Sequence, residues 1–143
     1  RGLPVTTSTL EGDSPLHVAV LFAQETSVKT LLDLGAPVNA TNMIGNVPLH
    51  SAALYGFTNI VRSLITANAA IDSRNRPGWT PLHLAVRSRN FDVTKELVMA
   101  GADVNATNNV GMTALDFAVR STNEVVIHYL EQAGGRRGST LRP

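Results

Sequence analysis

The sequence predicts an all-α repeat solenoid: short helix–turn–helix units of 33 residues, stacked side by side and joined by projecting β-hairpin-like loops. One motif recurs as Gly12-Asp13-Ser14-Pro15-Leu16-His17-Val18-Ala19, Gly45-Asn46-Val47-Pro48-Leu49-His50-Ser51-Ala52 and Gly78-Trp79-Thr80-Pro81-Leu82-His83-Leu84-Ala85. A looser fourth copy runs Gly111-Met112-Thr113-Ala114-Leu115-Asp116-Phe117-Ala118. The leading glycines at 12, 45, 78 and 111 are evenly spaced without insertion, and a fixed period of about 20–50 residues marks a repeat architecture. Each copy is followed by a second apolar run at helical spacing, such as Ile60-Val61 with Leu64-Ile65. No such unit can bury its apolar face alone, so the units must stack.

The division follows the period. Gly2-Leu3-Pro4-Val5 stands 33 residues before Gly35-Ala36-Pro37-Val38, so residues 1–8 read as the tail of a preceding repeat and the chain as a piece of a longer or processed protein. Repeats are expected at 9–41, 42–74, 75–107 and 108–135, the last a capping unit, with a flexible basic tail at 136–143. First helices are expected near 15–22, 48–55, 81–88 and 114–121. Ser14, Thr80 and Thr113 stand where an N-cap hydroxyl accepts from an orphan backbone N–H, and Pro15 and Pro81 follow at the first helical position, where a missing N–H costs nothing. Val47 replaces the hydroxyl in the second unit, at a cost of about 1 kcal/mol. Alanines at 19, 52, 85 and 118 imply close helix-to-helix contact. Second helices are expected near 25–33, 58–66, 91–99 and 124–132. They end at Gly35-Ala36, Asn68-Ala69, Gly101-Ala102 and Gly134-Gly135, where glycine or asparagine supplies a left-handed cap.

Composition excludes several classes. The chain lacks cysteine, so it has no disulfide, thiolate metal site or cysteine nucleophile. No apolar run approaches the roughly 18–20 residues that span a bilayer. The formal net charge is +1. The first unit sets Glu11, Asp13, Glu25 and Asp33 against Lys29, and later units lean slightly basic. That gradient is too weak for nucleic acid, which calls for a strong basic stripe. No catalytic constellation or phosphate-binding glycine loop is present, so no enzyme, cofactor or small-molecule substrate is expected. His17, His50 and His83 stand one repeat apart. Packed helices lie about 8–10 Å from one another, and zinc ligands lie about 2 Å from one ion, so no shared metal site forms.

Ser14-Pro15-Leu16-His17, Thr80-Pro81-Leu82-His83 and Gly101-Ala102-Asp103-Val104-Asn105, recurring in register, resemble the ankyrin-repeat family, over residues 9–135. The fourth unit departs from the pattern: Asp116 replaces the histidine, Ala114 the proline, and Gly134-Gly135-Arg136-Arg137 the Gly-Ala-x-Val-Asn run. The resemblance implies a structural role for His17, His50 and His83, each ring bonding to the Ser/Thr hydroxyl and nearby backbone. It also implies a non-enzymatic module that binds a protein or peptide with hairpin tips and the concave face of the first helices. Carried onto this chain, the tips supply Met43, Ile44, Asn46, Arg74, Arg76, Trp79, Asn109 and Met112. The helix positions supply Phe22, Leu54, Tyr55, Arg87, Ser88 and Arg120. The resulting groove is expected to be apolar toward the first two units and basic toward the last two, with Trp79 the residue the repeat does not need. The alternatives are a substrate-delivery or targeting arm of a larger enzyme or effector, and a structural spacer. Val104-Asn105-Ala106 marks Asn105 as a candidate hydroxylation site. A monomer in the cytoplasm or nucleus is expected.

Overall fold

Three of the four first helices begin at an extended residue with a side-chain acceptor. Ser14 (φ −74°, ψ 166°) accepts from the His17 N–H, Thr80 from the His83 N–H and Thr113 from the Asp116 N–H. Val47 has no oxygen to offer, and its helix starts without a side-chain cap on that N–H. In the computed structural model, which describes residues 11–141, the chain forms four helix pairs. These are α1 (Pro15–Leu21) with α2 (Glu25–Asp33), α3 (Pro48–Tyr55) with α4 (Thr58–Thr66), α5 (Pro81–Arg87) with α6 (Phe91–Met99), and α7 (Ala114–Arg120) with α8 (Glu124–Gln132). A short α9 (Gly138–Leu141) follows. The expected remnant of an earlier repeat at 1–8 lies outside the described residues. All second helices fall where the periodicity puts them. Three first helices stop one residue early because Phe22, Ser88 and Ser121 turn out of the helix as C-caps.

First helices pack in sequence order, α1 on α3, α3 on α5 and α5 on α7, with α2, α4 and α6 forming a second layer. Equivalent positions supply the core. Leu16, Leu49, Leu82 and Leu115 are buried, as are Leu64, Leu97 and Leu130, each contributing about 2 kcal/mol of apolar burial. Ala19, Ala52, Ala85 and Ala118 are buried between the first helices, where a larger side chain would force neighbouring helices apart. Thr94 sits in the same core with its hydroxyl donating to the Asn90 carbonyl (2.9 Å).

The left-handed caps form at Gly35, Asn68, Gly101 and Gly134. A second left-handed position, between the two helices of each pair, carries Ala23, Gly56, Arg89 and Thr122. Three of these are not glycine, and each non-glycine residue there costs about 1 kcal/mol. The hairpin loops contain no strand among the described residues. They are turns closed by backbone bonds from the Asn42, Asn75 and Asn108 N–H groups to the Asn46, Trp79 and Met112 carbonyls, with the Gly45, Gly78 and Gly111 N–H groups returning to the three asparagine carbonyls. The side-chain oxygens of the same three asparagines accept further N–H groups of their own turns, which fixes the loop shape. Adjacent tips join through Met43 N–H to Glu11 O, Arg76 N–H to Ile44 O and Asn109 N–H to Pro77 O. Gly78 satisfies two demands at once. Its φ is +84°, and a Cβ there would stand 2.7 Å from the Asn109 nitrogen.

Residues 136–141, the described part of the tail expected to be flexible, make defined contacts. Residues 134–141 fold back onto the last repeat. Asn105 brackets the segment, its amide donating to the Gly134 carbonyl (3.0 Å) and accepting from the Arg136 N–H (2.7 Å). The Thr113 hydroxyl donates to the Arg136 carbonyl (2.8 Å). Gly138 is buried against the Gly111 carbonyl, where any Cβ would collide. The physical reason lies in Asp116, described next.

Candidate interaction surface

The recurring histidine is a joint between units. Ser14 donates its backbone N–H to His17 Nδ1 (3.0 Å), and Val47 and Thr80 do the same to His50 and His83 (3.0 Å each). An Nδ1 that accepts a backbone proton carries none, so Nε2 bears the hydrogen in the neutral ring. Each Nε2–H then donates to the hairpin carbonyl of the following repeat: Asn46 (2.8 Å), Trp79 (2.8 Å) and Met112 (3.0 Å). Burial holds the His50 and His83 pKa values below 6.5, because desolvation penalises the charged ring more than these carbonyls favour it. The hydroxyl partners are Ser14 Oγ (2.8 Å) and Thr80 Oγ1 (2.9 Å).

Asp116 takes the place of the fourth histidine and reverses the polarity. It can only accept. Oδ2 receives the Thr113 N–H (2.8 Å) and the Gly138 N–H (2.8 Å), and Oδ1 receives Arg137 Nε (2.6 Å). Burial alone would raise its pKa. The bonds from Thr113, Arg137 and Gly138 outweigh that and hold it below 3.8. A carboxylate here repels a hairpin carbonyl and recruits donors, and the returning tail provides them.

These joints set the face formed by the hairpins and the ends of the first helices. The Trp79 carbonyl is held by His50 and by the Asn75 N–H, so its indole is aimed from a fixed backbone. The ring stacks on Phe117 at 4.6 Å between centroids, with His83 edge-on to Phe117 at 5.9 Å. The Arg87 guanidinium carbon lies 5.1 Å from the centroid of the Trp79 ring, a cation–π contact. Arg120 reaches the Met112 sulfur (3.6 Å). Trp79, Arg87, Phe117, Arg120 and Ser121 thus line one open cleft of about 380 Å³ between α5 and α7.

The other expected residues divide. Phe22 (71%), Met43 (60%), Ile44 (55%) and Tyr55 (54%) are exposed, as are Arg74, Arg76, Arg87 and Arg120. Asn46 and Asn109 serve the scaffold. Asn46 Oδ1 accepts from Asn75 Nδ2 (2.9 Å), and Asn109 donates to the Arg76 carbonyl (2.7 Å). Leu54 and Ser88 are half-buried. Asn105 ties repeat to tail through both ends of its amide, at a position where Asn39 and Asp72 bridge to the next unit by accepting the Ala70 and Asp103 N–H groups. The cleft lined by Arg87 and Arg120 therefore has an aromatic floor, in which Phe117, not among the expected residues, joins Trp79. Its equivalents, Val18, Ser51 and Leu84, share no chemistry with it, so the aromatic ring itself was the available signal. On the opposite face, Lys29 and His128 are exposed, while Arg62 pairs with Glu96 (2.8 Å) and Lys95 with Asp92 (3.7 Å). Such exposed pairs contribute under about 1 kcal/mol each.

A family model of three ankyrin repeats matches residues 16–108 and again 49–136. The chain belongs to the ankyrin-repeat family. Ankyrin repeats are in general non-enzymatic protein–protein interaction modules, and the paired helices and turn-closed hairpins of this chain are an ankyrin scaffold. Comparison with curated proteins finds no match. No helix among the described residues is long and apolar enough to cross a membrane.

Proposed function

We propose that this ankyrin domain binds a protein or peptide across the face made by its hairpin tips and first-helix ends, from Phe22 and Tyr55 through Trp79 to Arg87 and Arg120. The observation that carries the reading is the exposure of Phe22 and Tyr55 at equivalent positions of successive repeats. Aromatic and arginine side chains of this kind are the usual anchors of protein interfaces. The histidine joints hold successive hairpins rigidly, so little ordering cost accompanies binding.

Affinity capture with the immobilised domain tests it. Proteins retained by the unaltered chain are expected to be lost with Phe22→Ser, Tyr55→Ser and Arg120→Glu combined. They should be kept with Lys29→Ser and His128→Ser combined, on the second-helix face, both variants melting within a few degrees of the parent. Recovery of the same proteins by the first variant would refute the assignment of the face.

A further inference from the structure

The cleft between α5 and α7 has an unmet electrostatic demand. Arg87 and Arg120 line the same cleft, and both are exposed. Among the described residues no carboxylate lies within 4.0 Å of either guanidinium. The nearby acids are committed elsewhere. Asp92, Glu96, Glu124 and Glu131 lie on the second helices, α6 and α8, and Asp116 is engaged by Arg137 and the tail. Meanwhile Arg87 is steadied on the Trp79 ring and Arg120 by the Met112 sulfur. Two preorganised forks thus flank an aromatic floor with no anion of the fold to receive them. A guanidinium meets carboxylates in bidentate geometry.

Spacing narrows the occupant. Arg87 and Arg120 are equivalent positions on adjacent first helices, and helices packed side by side stand about 8–10 Å apart. A polyproline II peptide returns to the same face every three residues, over about 9 Å. The cleft holds about 380 Å³, enough for a few side chains, whereas a helix about 10–12 Å across could only lie over it.

We infer that the cleft of Trp79, Phe117, Arg87 and Arg120 recognises an extended acidic peptide segment, with carboxylates three residues apart reaching the two arginines and an intervening apolar side chain on the Trp79–Phe117 floor. The inference rests on the interaction reading above and names the partner's chemistry at one end of that face.

The chain has a single tryptophan, so Trp79 fluorescence reports on the cleft directly. The probe is the synthetic peptide acetyl-Pro-Glu-Leu-Pro-Glu-Leu-Pro-amide. It is compared with the same peptide carrying Gln for both Glu, and with one carrying adjacent Glu residues. The first peptide is expected to give a saturable change in Trp79 emission. The Gln peptide should bind at least about tenfold more weakly, the scale of losing charge-assisted hydrogen bonds. The adjacent-Glu peptide should fall between them, and binding should weaken as salt rises. In Arg87→Gln with Arg120→Gln the preference for Glu over Gln should vanish. Arg120→Gln alone, which leaves the Arg87–Trp79 stack in place, should reduce it and serves if the double variant melts early. No emission change, or equal affinity for the Glu and Gln peptides, overturns the inference. A protein partner captured through Phe22 and Tyr55 whose binding survives Arg87→Gln with Arg120→Gln would overturn it too, while leaving the interaction reading standing.

Discussion

The His83 joint and the Asp116 joint occupy the same position of successive repeats and do opposite things. His83 is a neutral ring whose Nε2–H donates to the Met112 carbonyl. Asp116 is a charged acceptor that gathers the Gly138 N–H and Arg137. Both keep the local half of the motif, the reciprocal bond with the N-cap threonine that starts the helix. They differ only in what they ask of the next layer. A histidine calls for a hairpin carbonyl, and so for another repeat. An aspartate calls for donors, and so for a different kind of neighbour, which residues 134–141 supply. The joint that receives the next hairpin and the joint that receives residues 134–141 thus differ at the side chain facing the next layer.

The largest effect should come from deleting a histidine joint. His83→Ala removes a fully buried ring, strands the Thr80 N–H and frees the Met112 carbonyl from its neighbour. Chemical denaturation should show a loss of about 3 kcal/mol. A loss under about 1 kcal/mol would mean that the joint is incidental to the stack. Asp116→Asn keeps the shape and removes the charge. Its loss should be smaller, about 2 kcal/mol, because the Arg137 side chain is 48% exposed and water takes over part of the interaction. Limited proteolysis should then cleave near Arg136 and Arg137 faster than in the parent. Unchanged cleavage would show that Asn105 and Thr113 hold the tail without the carboxylate. The smallest effect is a gain. Val47→Thr restores the missing N-cap hydroxyl within reach of His50 Nδ1, as Thr80 does for His83, and should add about 1 kcal/mol. No gain would mean that burying the hydroxyl cancels the cap.

Most of this scaffold was legible because repetition exposes it. The N-caps, the buried alanines and the left-handed ends of the second helices each recur at one position, and each has a local cause that neighbouring residues display. The histidine's second bond was not legible. It falls on a backbone carbonyl, and any residue carries one, whether Asn46, Trp79 or Met112. Left-handed Ala23, Arg89 and Thr122 escaped because only Gly56 signals that conformation. The docked tail escaped because Gly134-Gly135-Arg136-Arg137 has the composition of a loose terminus, and only the acceptor geometry of Asp116 gives those donors a destination. At the candidate site, Trp79 stood out as a residue the repeat does not use. Its partner Phe117 did not, because their pairing joins a hairpin to a helix of the next unit across 38 positions of sequence.

The two kinds of joint should also part company on acidification. His50 and His83 sit below 6.5 in the folded chain. Their contribution is complete above that pH and declines as pH falls through 6.5 toward their folded values, because the unfolded chain takes up protons that the buried rings refuse. Asp116 sits below 3.8, so its contribution is complete above 3.8 and is lost as pH falls from 3.8 toward and through its lower folded value. The direct measurement is a nuclear magnetic resonance titration that follows the His83 ring proton and the Gly138 amide in one sample. The His83 signal should titrate with its midpoint below pH 6.5, and the Gly138 amide, bonded to the carboxylate, with its midpoint below 3.8. A Gly138 amide that titrates at or above 3.8, or a His83 ring that titrates at or above 6.5, would contradict a neutral donor joint inside the stack and a charged acceptor joint at its end.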